Sequence, residues 1–218
     1  KPWSQFHQEK WEASNRKAFG AWEAGRLVGI CCCGSNLVVS CPASGDSVRA
    51  FAAHVRRRGY LVRVAVGHDA IIDRFMDVYG RATRRIDLER SGQRLYAITR
   101  SELRPGRAAP TLRPAEREEL REILALDHAM VLEELGYDPF SQDVDSYRQG
   151  WLRRIIEGRA WILPASGPDG GPPIFKADQS ATTPDVVQIS GVYTHPSARR
   201  QGHAKAAVRE ICQRLLTQ

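Results

Sequence analysis

The chain has 218 residues, of which 42% are hydrophobic and 26% are charged, and it carries a formal net charge of +7. This length allows one large domain or two small ones, and the composition is ordinary for a folded protein. No run of residues is apolar enough to span a bilayer, and the first residues lack the apolar stretch that a signal peptide requires.

The five cysteines are predicted to be buried free thiols: Cys31, Cys32, Cys33, Cys41 and Cys212. Three of them are consecutive, and neighbouring side chains on a strand point to opposite faces, so they do not converge on a metal ion. The sequence also lacks a Cys-x-x-Cys pair. Reduced thiols are typical of the cytoplasm, where we therefore expect the protein, and we predict no metal site.

Positive charge is concentrated in residues 1–105. They hold 18 basic and 10 acidic residues, whereas the remainder holds 14 and 15. Such an excess suits either an anionic partner or a solvated Arg-rich surface. No alternation of aromatic and basic residues accompanies it, so we favour the surface and expect neither a nucleic-acid nor a membrane partner.

Residues 1–105 are predicted to form an α/β domain, because strands and helices alternate along them. Trp3, Phe6 and Trp11 have the spacing of a loose amphipathic helix. The elements that follow are a hairpin at 22–29 with Gly25 in its turn, strands at 30–33 and 37–41, a helix at 48–58, a strand at 60–66, a helix at 70–79, and strands at 84–88 and 93–99. Asp46 or Ser47 is expected to cap the first helix.

A linker is predicted over residues 101–114, which contain three Pro and Gly106, and the domain boundary is placed after Pro105. The predicted elements beyond it are helices at 115–135 and 147–156, strands at 160–164, 174–181 and 186–194, and a helix at 202–216. Short turns between the three strands predict an antiparallel meander. Asp143 or Asp145 is expected to cap the second helix. Asp127 and His128 are adjacent on the first helix and are expected to act independently.

Residues 186–205 combine a buried strand, a short basic turn and a helix start. The turn contains Gly202, which lets the backbone approach a ligand closely. The first N–H groups of a helix have no intrahelical partners, and the helix dipole favours negative charge there. A pyrophosphate fits this description, although an ordinary strand-to-helix connection with solvated arginines accounts for the same residues.

This stretch resembles motif A of the GNAT superfamily of acyl-CoA N-acyltransferases. Arg199, Gly202 and Ala204 match the family pattern Gln/Arg-x-x-Gly-x-Gly/Ala, and Pro196 lies where a Pro usually occurs. Residues 174–196 are similar to a GNAT subfamily with an extra N-terminal domain of unassigned function. The resemblance implies an α+β fold, in which a GNAT-type mixed sheet flanked by helices in residues 106–218 follows a smaller, degenerate GNAT-like α/β domain without the cofactor motif.

The resemblance further implies an N-acetyltransferase that moves an acetyl group from acetyl-CoA to the amine of a small molecule or peptide. Backbone groups of Val192 and Thr194 would pair with pantetheine. The residues implied around the pyrophosphate are Arg199, Arg200, Gln201, Gly202, His203 and Ala204, with Lys205 as a further cation. Asp178, on the preceding strand, is the leading candidate for the catalytic base; Tyr193 and His195 would flank the pantetheine.

In the resembling subfamily, residues around the end of the first helix would line the entrance for the acceptor, here Glu133, Glu134, Tyr137 and Asp138. They would suit a cationic amine, and solvated charges at a helix end account for them equally. A complete GNAT domain continues past its cofactor helix with further strands that usually supply a Tyr acid. The chain given ends at Gln218, so the resemblance implies an incomplete GNAT domain whose strand 186–194 exposes an edge.

Two functions therefore follow from the sequence. The first is amine acetylation, and the alternative is a non-catalytic acyl-CoA-binding sensor or interaction module on a GNAT scaffold. The sequence indicates neither the acceptor nor the oligomeric state.

Overall fold

The computed structural model separates the chain into two compact units, Lys1–Arg94 and Leu95–Gln218. It describes residues 17–34, 36–40, 43–80, 89–109, 111–141, 143–165 and 171–217. The division lies before the boundary that the Pro-rich stretch predicts at Pro105. The predicted helix around Trp3, Phe6 and Trp11 and the predicted strand at 84–88 lie outside the described residues.

A four-stranded sheet forms the centre of the first unit. Its strands are β1 (Lys17–Glu23), β2 (Arg26–Cys33), β3 (Asn36–Val39) and β4 (Val64–Val66), in that spatial order. The first three strands are antiparallel, and β3 and β4 are parallel. The predicted hairpin turn is confirmed: Ala24 and Gly25 have φ angles of +48° and +78°, the left-handed backbone that a two-residue hairpin loop requires.

Two helices, α1 (Gly45–Arg57) and α2 (Asp69–Tyr79), bury their apolar faces against one side of this sheet. The shared core contains Leu37 and Val39 from β3 and Phe51 and Phe75 from the helices, all buried. The cap prediction for α1 was wrong. Ser44, and not Asp46 or Ser47, accepts a hydrogen bond from the Ser47 backbone N–H, so the helix begins earlier than its apolar spacing indicates.

Of two strand predictions in the first half of the chain, one is confirmed in part and the other fails. Only Val64–Val66 of the predicted strand 60–66 pairs with a neighbour. Residues 93–99 form no regular element, and Leu95 and Tyr96 are 90% and 81% exposed. The apolar alternation there predicts a strand, but a strand also requires a partner edge, which a local pattern does not reveal.

The second unit contains four strands, three helices and short 3₁₀ turns among its described residues. In chain order they are β5 (Arg113–Pro114), α3 (Leu120–Leu135), α4 (Val144–Ile156), β6 (Ala160–Pro164), β7 (Pro173–Thr182), β8 (Val187–Thr194) and α5 (His203–Leu215). The sheet order is β5-β6-β7-β8, and every pair is antiparallel, so the predicted meander is confirmed. The Asp143 side chain caps α4, one of the two predicted caps.

Helices cover both faces of this second sheet, because its strands alternate their side chains between two cores. Leu163 and Phe175 pack with Ile211 of α5 on one face. Ile162 packs with Ile123 of α3 on the other, together with residues of α4. The two sheets and five helices described give a mixed α+β architecture.

The predicted linker at 101–114 is partly structural. Ala109 and Leu112 are buried in the core beside α5, and Arg113 pairs with Ile162 of β6. A segment rich in Pro and Gly can also pack against the edge of a sheet. Composition alone therefore does not distinguish this stretch from an exposed linker.

Candidate functional site

A groove of about 430 Å³ lies where β8 ends and α5 begins, and the last turn of α3 closes one side of it. Its lining residues are Glu133, Glu134, Val192, Tyr193, Thr194, Ala198, Arg199, Arg200, Gly202, His203, Ala204 and Lys205. Seven of the eight residues predicted to bind the cofactor are in this set. The exception is Gln201.

The turn between β8 and α5 adopts an unusual backbone. Arg200 has a φ of +62° and Gly202 a φ of +80°, both in the left-handed region. Such a conformation is common for Gly and uncommon for Arg. A Cβ at Gly202 would meet only Arg107 Nη1, at 4.0 Å, so the space before α5 is open. The first backbone N–H groups of α5 follow this open space without intrahelical acceptors.

Several side chains hold this turn in place. Arg107 Nη1 donates to the Gln201 carbonyl at 3.0 Å. The Gln201 side chain donates to the Ser197 carbonyl at 3.4 Å and also contacts His203, so it braces the turn instead of lining the groove. His195 Nδ1 lies 2.7 Å from Ser197 Oγ, at the start of a 3₁₀ turn. His195 therefore has a local structural role, which the sequence did not reveal.

An ion pair links α3 to the turn inside the groove. Arg199 Nη1 and Nη2 donate to the two Glu133 carboxylate oxygens at 2.9 and 2.7 Å, and Arg199 Nε donates to the Thr194 carbonyl at 3.0 Å. The guanidinium lies 5.2 Å from the centre of the Tyr193 ring. The hydrogen bond from Arg199 lowers the pKa of Glu133. Burial, followed by the nearby Glu133 charge, raises the pKa of Tyr193.

This pair changes what Arg199 offers to a ligand. Its positive charge is directed at Glu133 and is not free for an anion in the geometry described. Arg200, the next residue in the turn, and Lys205, in the first turn of α5, line the same groove and supply positive charge there. Glu133 and Arg199 are 66 residues apart, and nothing local in the sequence marks them as partners.

Asp178, predicted to be the base, lies on β7 and is buried. Its carboxylate lies 3.4 Å from Arg154 Nε and accepts a 3.4 Å hydrogen bond from Ser190 Oγ. Asp178 is not among the residues that line the groove. The carboxylates in the lining are those of Glu133 and Glu134, which the family resemblance predicts at an acceptor entrance.

Asp127 and His128 act independently, as predicted. The buried Asp127 carboxylate binds Lys176 of β7, while His128 Nε2 lies 3.0 Å from Asp138 Oδ1. Sequence reasoning missed Lys176, because a lysine inside an apolar strand gives no sign of the acidic partner that buries it. Tyr137 and Asp138 are not among the groove residues.

The described part of the chain contains no group of three or more His, Cys, Asp or Glu side chains arranged to hold a metal ion. Within the same residues, every helix is too short or too polar to cross a membrane.

Comparisons with known proteins give a distant likeness. No family model matches the chain, and no curated protein matches it. One solved structure, described as an acetyltransferase from the GNAT family from Colwellia psychrerythraea, superposes with a TM-score of 0.48 at 13% sequence identity. The match covers 92% of this chain and 72% of that one.

Proposed function

We propose that the second unit binds an acyl-CoA in the groove and transfers its acetyl group to an amine. The observation that supports this most is that the end of β8 and the open turn before α5 line one continuous groove. A strand end offers backbone N–H and C=O groups to an amide-containing chain. A helix start with nearby cations suits a diphosphate. A pantetheine chain joined to a diphosphate combines both features.

The donor would contact this groove in two places. Backbone groups of Val192 and the N–H of Thr194 would pair with the pantetheine amides, because β7 is the one strand paired with β8 among the described residues. The Thr194 carbonyl is held by Arg199 Nε. The N–H groups at the start of α5 would hold the pyrophosphate, with Arg200 and Lys205 adding positive charge. Gly202 keeps this approach clear of side-chain atoms.

Binding of a diphosphate would compete with Glu133 for Arg199. Both side chains of the pair are partly exposed, and exposed ion pairs contribute little to stability. A phosphate accepts the same paired hydrogen bonds from a guanidinium as a carboxylate. If Glu133 is released in this way, its carboxylate and that of Glu134 would both face the groove. Two carboxylates suit an acceptor with a cationic amine.

Acyl transfer requires a neutral amine nitrogen that attacks the thioester carbonyl. The new C–N bond forms, the C–S bond breaks, the nitrogen gives its proton to a base, and the CoA thiolate leaves and takes up a proton. Asp178 is the proposed base. Replacement by Asn tests this role: a loss of turnover with an unchanged acetyl-CoA affinity and unfolding midpoint supports it, whereas loss of the fold assigns Asp178 to structure.

Isothermal calorimetry with acetyl-CoA tests donor binding directly, and Gly202→Asp is the informative variant. Asp would place bulk and negative charge where the diphosphate would lie, so binding should be lost. Gly59→Asp is the matched control, since Gly59 has a similar φ of +68° and nothing within 4 Å of its missing Cβ. It carries the same backbone strain and the same charge change outside the groove. An absence of binding by the folded unmodified chain would rule out the proposal.

A non-catalytic acyl-CoA sensor remains the second candidate, and the position of Asp178 outside the groove lining favours it. A turnover assay separates the two functions. Release of free CoA thiol with any amine of a broad panel excludes a sensor, whereas tight acetyl-CoA binding without release excludes acetylation of those amines.

A further inference from the structure

A buried ionic cluster lies between α3 and β7, next to the strand that lines the groove. The side chains of Lys176 and Asp127 are 1% and 7% exposed, and Lys176 Nζ donates to Asp127 Oδ1. Ions inside a protein lose their hydration, which is costly unless every hydrogen-bonding position is filled. The neighbours of this pair therefore decide what it does.

Each partner of the cluster has its hydrogen bonds satisfied. Asp127 Oδ2 accepts from the Tyr147 hydroxyl and from Trp151 Nε1, the latter at 2.9 Å. Lys176 Nζ lies 3.6 Å from Met130 Sδ and 4.8 Å from the centre of the Trp151 ring. Burial and the bond to Asp127 raise the pKa of Tyr147, so its hydroxyl keeps its proton and remains a donor.

The third polar contact of Lys176 leaves the cluster and reaches β8. Nζ donates to the Gly191 carbonyl at 3.0 Å. At this point the register shifts: Lys176 pairs with Tyr193, but Asp178 pairs with Ser190, so β8 carries one extra residue. Such a bulge bends a strand and redirects the side chains that follow. Gly191 has a φ of +56°, and a Cβ there would overlap the Asp178 carboxylate.

Val192, which belongs to the bulge with Gly191, and the next two residues, Tyr193 and Thr194, all line the groove. We propose that Lys176 is a positioning residue, whose ammonium holds the Gly191 carbonyl and so sets the bulge that presents Val192–Thr194 to the acyl donor. The use of these residues by a donor rests on the proposed function, whereas the control of the bulge does not.

A stabilising role alone does not account for the pair. Buried ion pairs are often matched or exceeded in stability by apolar side chains of similar volume. A Met at position 176 with an uncharged residue at position 127 would fill the same space. That replacement has no hydrogen-bond donor for the Gly191 carbonyl. A comparison of the two chains therefore isolates the effect of this hydrogen bond.

The test uses the double variant Asp127→Asn, Lys176→Met in the whole chain. The Asn oxygen still accepts from Tyr147 and Trp151, and Met fills the volume of the lysine stem, so both charges leave together. We expect a cooperative unfolding transition to persist. Amide hydrogen exchange at Tyr193, the groove residue that pairs with Lys176 across the two strands, should become about tenfold faster or more, and the Kd for acetyl-CoA should rise by about tenfold. Unchanged exchange and unchanged Kd in the folded variant would overturn the proposal.

Tyr147→Phe is the matched control. It removes one donor to Asp127 and lowers stability, but it leaves the contact between Lys176 and Gly191. Exchange at Tyr193 should stay at the level of the unmodified chain. An increase equal to that of the double variant would show that any loss of stability loosens β8, and would contradict a positioning role.

Lys176→Arg covers the case in which the double variant does not fold. Arg keeps a positive charge for Asp127, but its planar guanidinium does not reproduce the contacts of an ammonium. Faster exchange at Tyr193 is expected, and exchange identical to the unmodified chain would overturn the inference. If the unmodified chain binds no acetyl-CoA, the proposed function fails, while the exchange measurements still decide the role of Lys176.

Discussion

Gly191 is the position in β8 where an added methyl group has least room. Its φ of +56° is one that side chains rarely adopt, and a Cβ would overlap the Asp178 carboxylate and lie 3.1 Å from Lys176 Nζ. Gly191→Ala should therefore lower the free energy of unfolding by about 1–3 kcal/mol, measured by chemical denaturation. Gly150→Ala, inside α4 and with only Arg154 Nη1 near its Cβ at 3.9 Å, should raise it by about 0.5–1 kcal/mol.

Because of Cys31, the first unit is expected to become less stable as the pH rises into the alkaline range. Burial raises the pKa of its thiol to about 12, and the neighbouring Cys33 and Cys32 add to this effect. The unfolded chain releases the proton near pH 9, whereas the folded chain retains it. The stabilisation is therefore complete below about pH 9 and declines as the pH rises towards 12.

Cys31→Ala should remove this pH dependence. Between pH 8 and pH 10, the unmodified chain should lose on the order of 1 kcal/mol of unfolding free energy more than the variant. Urea denaturation at the two pH values measures the difference, and the lower stability of the variant at pH 8 does not affect it. Equal losses in both chains would contradict the burial of this thiol.

Single residues also show which parts of the site were accessible from sequence. Arg200, Gly202 and Ala204 belong to one turn, so their common placement follows from local spacing. Lys176 and Asp127 are 49 residues apart, and their contact depends on how α3 packs against β7. Gln201 also falls within the motif, yet its side chain donates to the Ser197 carbonyl. The residues on either side of it, Arg200 and Gly202, have left-handed φ angles, which the motif does not indicate.

At the scale of elements, the cap of α1 offers a direct test. The Ser44 hydroxyl accepts from the Ser47 backbone N–H at 3.2 Å and also contacts Ser47 Oγ at 2.9 Å. Ser44→Ala should lower the free energy of unfolding by about 1 kcal/mol, because one N–H group at the helix start loses its acceptor. Asp46→Ala removes an exposed charge within the helix and should cost less. Denaturation followed by circular dichroism compares the two, and a larger loss for Asp46→Ala would restore the cap predicted from sequence.

Helices were easier to predict than strands, for a physical reason. Helical hydrogen bonds are internal to the element, so apolar spacing and the glycine that follows suffice to predict α3 and its end at Leu135. Its start is Leu120 and not residue 115, because a 3₁₀ turn precedes it. A strand requires a partner. Residues 93–99 have suitable side chains but no paired edge, whereas β5 consists of Arg113–Pro114, a pair too short and too polar to recognise before its contact with β6 is known.

At the scale of the whole molecule, each unit has a core of its own. Cys31, Leu37 and Phe75 belong to the first, and Phe175 and Ile211 belong to the second. Composition predicted two domains with a boundary after Pro105, which already assigns residues 106–114 to the second, but it described the stretch 101–114 as a linker. The burial of Ala109 and Leu112 assigns part of that stretch to the second core, and burial of small apolar residues in a Pro-rich segment has no sequence signature of its own.

Net charge is also a property of the whole molecule, and it offers a competing explanation for any binding of an anionic donor. A chain with a formal net charge of +7 attracts anions through its overall field, which salt screens. Arg200→Gln and Arg57→Gln lower this charge equally. Arg200 lines the groove, whereas Arg57 lies in the last turn of α1.

Arg200→Gln should therefore raise the Kd for acetyl-CoA by about tenfold, because a charge-assisted hydrogen bond to phosphate is lost. Arg57→Gln should leave the Kd within about twofold, since long-range attraction contributes little at physiological ionic strength. Calorimetry at 0.05 and 0.15 M salt gives both values. The two substitutions could instead raise the Kd equally at the lower salt and leave it unchanged at the higher salt. That result would mean that the overall charge of the chain, and not the turn before α5, attracts the donor.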